Sequence, residues 1–282
     1  MLIVLPPSET KRDGGGSASL DIAGLSFARL NPVRRKLVSA LVTLSRNESA
    51  SLRALKLGPK GAPELARNRV LRSSPTMPAI ERYTGVLYDA LDVSSLDAQA
   101  RARAGERVLI HSALFGLLRA EDLIPAYRFS HDSRLPELPL NARSLKALWR
   151  DRISHEFAAL TAGGAASPAG KGVSAKPAES IEQAALLEPM RLVLDLRSEG
   201  YVELGPAPGS LYLRVVTRTE GGQVRALNHF NKHAKGAFTR DLLSLKAAPG
   251  SVDELIAAAH SLGWKLSLAA TSDASGELVL EL

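Results

Sequence analysis

The chain has 282 residues, 45% hydrophobic and 23% charged, ordinary proportions for a globular protein with a sizeable core. It has no cysteine, which excludes disulfides and thiolate metal sites and is compatible with a cytoplasmic location. The formal charge of +7 is concentrated: Arg29 to Arg72 carries eleven Lys or Arg against Glu48 and Glu64, or +9, so the remainder sums to −2. A localised basic surface suits a polyanion such as nucleic acid, held through phosphates; a solvated basic face is the plainer alternative.

The opening MLIVLPPSETK has no positive leading region, and its apolar run is too short for a signal peptide or a membrane span. It reads as a first strand, Leu2 to Leu5, stopped by Pro6-Pro7, and no membrane partner is expected. Lys11 follows this strand directly. The glycines at 14–16 come after Lys11 rather than before it, with no GK[ST], so no P-loop is present. Asn31 and Pro32 open a helix as N-cap and first residue, with Leu37, Val38, Leu41 and Leu44 on one side. Further helices are expected at Ala62 to Leu71 and Leu96 to Ala104. One broken at Thr84-Gly85 is expected within Ala79 to Leu91.

Val108 to Arg128 is chemically the densest stretch. A buried strand begins at Val108 and leads through Ser112 and Phe115, with Arg119, Asp122, Tyr127 and Arg128 close behind. Polar groups that follow a buried strand are where α/β proteins gather ligands; a structural Arg119–Asp122 pair is the alternative. Asn141 to Leu160 has the clearest amphipathic period, with Leu145, Leu148, Trp149, Ile153, Phe157 and Leu160 inward and His155-Glu156 on the polar side. The run 161–177, rich in Gly, Ala, Ser and Pro, is expected to be a mobile surface loop within a single domain rather than a boundary.

Strands are expected at Met190 to Leu196 and Leu211 to Thr217, the latter paired with Gly222 to Ala226. On a helical wheel of His229 to Leu245, Lys232, Lys235, Gly236 and Thr239 share one arc with Arg240 at its edge, while Phe230, Ala234, Ala237 and Phe238 take the other side. That arrangement predicts a cationic face turned to solvent. Gly236 costs about 1 kcal/mol against Ala in a helix and so calls for close approach by a backbone or a phosphate. A final helix over Val252 to Leu262, capped by Ser251, precedes two closing strands, Trp264 to Ala269 and Glu277 to Leu282. The six histidines show no ligand spacing, so no metal site is expected.

LPPSETK at 5–11, SALFGLLRAEDLIPAYR at 112–128 and NKHAKGAFTR at 231–240 together resemble the YaaA peroxide-stress protein family. Ala113, Phe115, Ala120 and Lys235 depart from its pattern, as in a divergent, actinobacterial-looking member. The resemblance implies a single compact α/β domain over 1–282, a mixed sheet flanked by helices in an unusual YaaA-type topology. It also implies a cytoplasmic peroxide-stress protein that limits iron-dependent damage and binds duplex or branched DNA in a basic cleft, with no settled cofactor. On this reading Lys11, Arg119, Arg128, Lys232, Lys235 and Arg240 are the DNA- or anion-binding residues. The alternative is an enzyme for a small anionic or phosphorylated substrate, with Lys11, Asp122 and Tyr127 as candidate catalytic groups. Convergence of Lys11, Arg119, Asp122, Tyr127, Arg128 and Lys232 in one enclosed pocket would favour the enzyme; a wide groove would favour binding.

Overall fold

Four successive apolar residues form the first strand, β1 (Leu2–Leu5), and all four are buried. The same unbroken burial runs through β3 (Val108–Ser112) and β6 (Val193–Asp195), as expected for parallel strands covered on both faces. The computed structural model describes residues 1–136, 138, 142–162, 191–218, 224–225, 228–269 and 276–282. The expected loop at 161–177 lies outside them except for its first two residues, as do most of the residues between the two expected closing strands.

The other strands are β2 (Met77–Pro78), β4 (Gly116–Arg119), β5 (Leu123–Ile124), β7 (Leu211–Arg218), β8 (Val224–Arg225), β9 (Lys265–Leu268) and β10 (Glu277–Glu281). The main sheet runs β4-β3-β1-β6-β7-β10-β9, with β8 paired to β7 off this path; β2 and β5 form a separate two-stranded sheet. β3, β1, β6, β7 and β10 are parallel, while β4 and β9 run antiparallel at the edges. From β1 the chain first builds β3 on one side and later returns to add β6 on the other. The carboxyl end of β1 is therefore a switch point, the usual place for a ligand crevice in such sheets.

Ten helices are described: α1 (Asn31–Leu44), α2 (Glu48–Ala54), α3 (Ala62–Arg69), α4 (Ala79–Arg82), α5 (Val86–Leu91), α6 (Ala98–Arg107), α7 (Leu145–Thr161), α8 (Glu199–Leu204), α9 (Asn228–Ser244) and α10 (Val252–Ser261). One hydrophobic cluster links sheet and helices. Among the described residues no helix is long and apolar enough to cross a membrane.

Several local expectations need correction. Asn31 is already helical and its side chain accepts from the buried Arg34 (2.8 Å), so it does not cap α1. The helix expected from Asn141 starts at Leu145, because Ser144 Oγ accepts from Ala147 N–H (3.0 Å). Glu156, placed on the polar side, is buried and takes a forked pair of hydrogen bonds from Arg29 (2.9 and 3.0 Å).

The stretch after Ser112 turns back as a hairpin, in which Leu109 faces Arg119 and Ser112 faces Gly116. Gly116 has φ +67° and lies under Trp149, whose ring would be 2.9 Å from a Cβ there; only glycine fits. Trp149 Nε1 donates to Ala113 O at 2.8 Å and locks α7 onto the hairpin.

Candidate functional site

Lys11 leaves the carboxyl end of β1 and bridges to Tyr83 in an isolated antiparallel pair. Its side chain is buried, with 6% of the residue exposed. The ammonium donates to Ser8 O (2.9 Å) and Glu9 O (3.3 Å) and lies 4.1 Å above the Tyr127 ring centre. No carboxylate pairs with it among the described residues. Burial, reinforced by the Arg128 charge, lowers its pKa from 10.5 to about 7. A buried cation held only by carbonyls and a ring face costs stability, and such groups gather at functional sites.

Beside Lys11 runs a chain of hydroxyls. Ser112 Oγ is 2.7 Å from Tyr127 Oη, which is 2.7 Å from Tyr83 Oη. Ser112 Oγ also accepts from the main-chain N–H of Leu114 (3.1 Å) and Phe115 (3.0 Å), which fills both its lone pairs. Its proton therefore goes to Tyr127, and that of Tyr127 goes to Tyr83. The Tyr83 proton is left at the end of the chain, with no acceptor among the described residues. Burial raises all these phenols, Tyr127 to about 12 and Tyr83 well above its ordinary 10, so they are donors at neutral pH.

Arg128 rims this centre. Asn68 clips both its main-chain groups (2.8 and 2.9 Å), and its guanidinium reaches Glu9 at 2.7 Å. Across the switch point, β6 ends in Asp195, whose carboxylate holds the fully buried Arg197 at 2.8 and 2.6 Å. Arg197 donates to His111 Nδ1 (2.7 Å), so the His111 proton sits on Nε2, which has no partner among the described residues. Burial, and then the Arg197 charge, keep that imidazole neutral. Lys235 lies over the end of β6, donating to Leu196 O (3.0 Å) with its Nζ 5.4 Å from the Tyr212 ring centre. Burial lowers its pKa to about 8, against the pull of Asp195.

The six residues expected to converge do not form one pocket. Lys11, Tyr127 and Arg128 meet at the carboxyl ends of the strands. The hairpin carries Arg119 back beside Leu109, at the amino end of β3, where it donates to Glu106 O (3.3 Å). Asp122 is at that end too, accepting from Ser26 N–H (3.1 Å), Ser26 Oγ (2.8 Å) and Arg119 N–H (3.0 Å). Burial raises its pKa, and its role there is to tie the 26–27 turn to β4.

The expected cationic face of α9 also turns out differently. Lys232 is exposed, but Lys235 is part-buried, Thr239 is buried, and Gly236 presses on α5, where a Cβ would lie 2.0 Å from Leu87 O. Backbone, not phosphate, explains that glycine. Phe230, assigned to the buried side, is 60% exposed. Arg240 donates to Leu91 O (2.9 Å) and Asp92 O (2.7 Å), closing the carboxyl end of α5.

The glycine loop is exposed, but its backbone is tied down. Arg82, fully buried, donates to Arg12 O, Gly14 O, Pro75 O and Ile124 O. The sequence alone assigned no role to Ser112 or Tyr83. The signal available for Tyr83 was its place beside the Thr84-Gly85 break.

The basic segment divides. Arg34 is a buried staple, donating to Phe115 O (2.7 Å), Leu117 O (2.6 Å), Ser26 O (2.7 Å) and Asn31 Oδ1 (2.8 Å). Arg29, Lys56 and Arg67 pair with Glu156, Asp132 and, for Arg67, both Asp13 and Glu64. Arg35, Lys36, Arg46, Arg53 and Lys60 are exposed and lack acidic partners among the described residues. The same residues contain no group of three or more His, Asp or Glu placed to hold a metal ion.

Comparison with known proteins gives this arrangement a family. The model of the family described as "Peroxide stress protein YaaA" matches residues 1–269. A UPF0246 protein of Corynebacterium glutamicum (strain R) is 37% identical over 263 residues, 93% of each chain. One from Corynebacterium efficiens is 37% identical over 268 residues, 95% of each chain. Another, from Streptomyces coelicolor, is 36% identical over 271 residues, covering 94% of this chain and 92% of its own. With a family model matching nearly its whole length and relatives similar from end to end, the chain belongs to the YaaA peroxide-stress protein family.

Proposed function

We propose that the protein is a nucleic-acid-binding member of its peroxide-stress family, gripping the phosphate backbone of DNA with the exposed face of α1, α2 and their following loops. The observation that carries this reading is the set Arg35, Lys36, Arg46, Arg53 and Lys60: exposed, close in sequence and without carboxylates among the described residues. Lys232 is exposed as well, whereas Lys235 and Arg240 are engaged with main-chain carbonyls. Backbone-dominated binding carries little sequence preference and weakens steeply with salt, by a log–log slope of about 0.9 per phosphate neutralised. The test is a titration of duplex and four-way-junction DNA at several salt concentrations, wild type beside Arg35→Ala/Lys36→Ala/Arg46→Ala. The triple variant should lower affinity at low salt and reduce the slope by about one per lost contact. An affinity that stays flat from low to moderate salt sinks the reading.

A second reading, an enzyme acting on a small anionic substrate, is favoured by the Lys11 centre. A buried amine without a carboxylate, beside a hydroxyl chain with a free proton at Tyr83, combines an anion clamp or nucleophile with a proton donor. Coating DNA needs neither. A panel of anionic metabolites screened by thermal shift should return a ligand for the wild type that Lys11→Met no longer binds. A panel in which both proteins respond alike counts against it.

A further inference from the structure

A cavity of about 550 Å³ lies beside His131, outside the Lys11 centre. Four separated segments line it and bring Lys56, Arg134, Arg143 and Lys146 together, with Asp132 and Glu203 as the acids among the lining residues. Lys56 pairs with Asp132 and Lys146 with Glu203, each at 3.0 Å. Arg134 and Arg143 are exposed, and their guanidinium groups have no acceptor among the described residues. Four cations against two carboxylates leave a concave +2 surface. Gathering like charges from distant segments costs repulsion that a bound anion relieves.

Two further features shape the wall. The seventeen-residue α7 begins there; Ser144 takes the Ala147 N–H, and the Leu145 and Lys146 N–H groups have no acceptor among the described residues. The His131 ring is set against Tyr201 with centroids 4.9 Å apart, a position that Gly200 permits, since a Cβ there would lie 2.4 Å from His131 Nε2. The volume suits a small organic ligand, and free arginine forks suit phosphate oxygens.

We propose that this cavity binds a phosphate monoester or pyrophosphate group, carried by a free small molecule or by the phosphorylated end of a nucleic-acid strand. Arg134 and Arg143 clamp the phosphate, and the His131 ring, backed by Tyr201, walls the part of the ligand attached to it. The proposal does not depend on the basic face of α1 and α2.

The test is calorimetric titration of the full chain with inorganic pyrophosphate, adenosine diphosphate, and an oligonucleotide with and without a 5′-phosphate. Wild type is compared with Arg134→Ala/Arg143→Ala, with the milder Arg143→Gln, and with Arg35→Ala/Lys36→Ala. The expected result is pyrophosphate binding weakened at least tenfold by the cavity double variant, less by Arg143→Gln, and unchanged by the α1 variant. A preference for the 5′-phosphorylated strand assigns the site to strand ends. Tighter binding of the diphosphate than of either strand assigns it to a free ligand. Absence of pyrophosphate binding, or equal weakening by the cavity and α1 variants, overturns the proposal.

Discussion

Two sets of buried charge in the molecule are partnered in opposite ways. Asp122 accepts three hydrogen bonds, and Arg34, under the β3–β4 hairpin, gives four, three of them to main-chain carbonyls. Both have a full set of partners, and the result is a staple. Lys11 and Lys235 are held by carbonyls and ring faces, with no carboxylate paired to either among the described residues, and burial depresses the pKa of both. Both sets lie in stretches equally rich in polar residues. What separates them is whether the partners are complete.

The comparison can be broken first at its strongest point. Arg34→Met should cost about 4 kcal/mol of stability, because it strands three main-chain carbonyls, two of them buried, and removes charge from beside Asp122. Urea denaturation measures it, and a loss under 1 kcal/mol would mean that this network is not the staple described.

Lys11→Met should act in the opposite sense. A lysine whose folded pKa is about 7, against 10.5 unfolded, gives up its proton on folding within that interval. The unfolded state then binds more protons, so this group's contribution to stability rises with pH between about 7 and 10.5, by up to about 1.4 kcal/mol per unit. The variant should be more stable than wild type at pH 7, with the advantage shrinking toward pH 10. A pH-independent difference would mean that Lys11 is solvated.

The smallest effect belongs to Arg119→Ala. Its guanidinium makes one long hydrogen bond to Glu106 O (3.3 Å), so stability should move by no more than about 0.5 kcal/mol and DNA affinity by less than twofold. A large loss of affinity would return Arg119 to the binding surface.

These contrasts also mark what could be read before the structure. Continuous apolar runs announced β1 and β3, and the period of Leu148, Trp149, Ile153 and Phe157 announced α7, because burial demands are local there. The hairpin at Gly116 was not legible. Its requirement is a positive φ beneath Trp149, a residue more than thirty positions later. That one missed turn put Arg119 and Asp122 at the wrong end of the sheet. The helical wheel of α9 gave the period but not the inward side. The wheel could not show that α5 would press on Gly236 and draw Lys235 in with it. Charge counting likewise located the basic segment but could not separate Arg34, which is fully buried, from Arg35, its exposed neighbour.

The two N–H groups that fill Ser112 Oγ belong to the hairpin turn, yet their influence ends at another residue's phenol. They make the row of hydroxyls one-way, as a rectifier does for current. Removing the serine oxygen would let the tyrosines reorient, so that Tyr83 could give its proton to Tyr127 rather than keep it for an incoming molecule. Acidity at Tyr83 is thus governed from a turn it does not touch, and Ser112→Ala would alter it while leaving both rings in place.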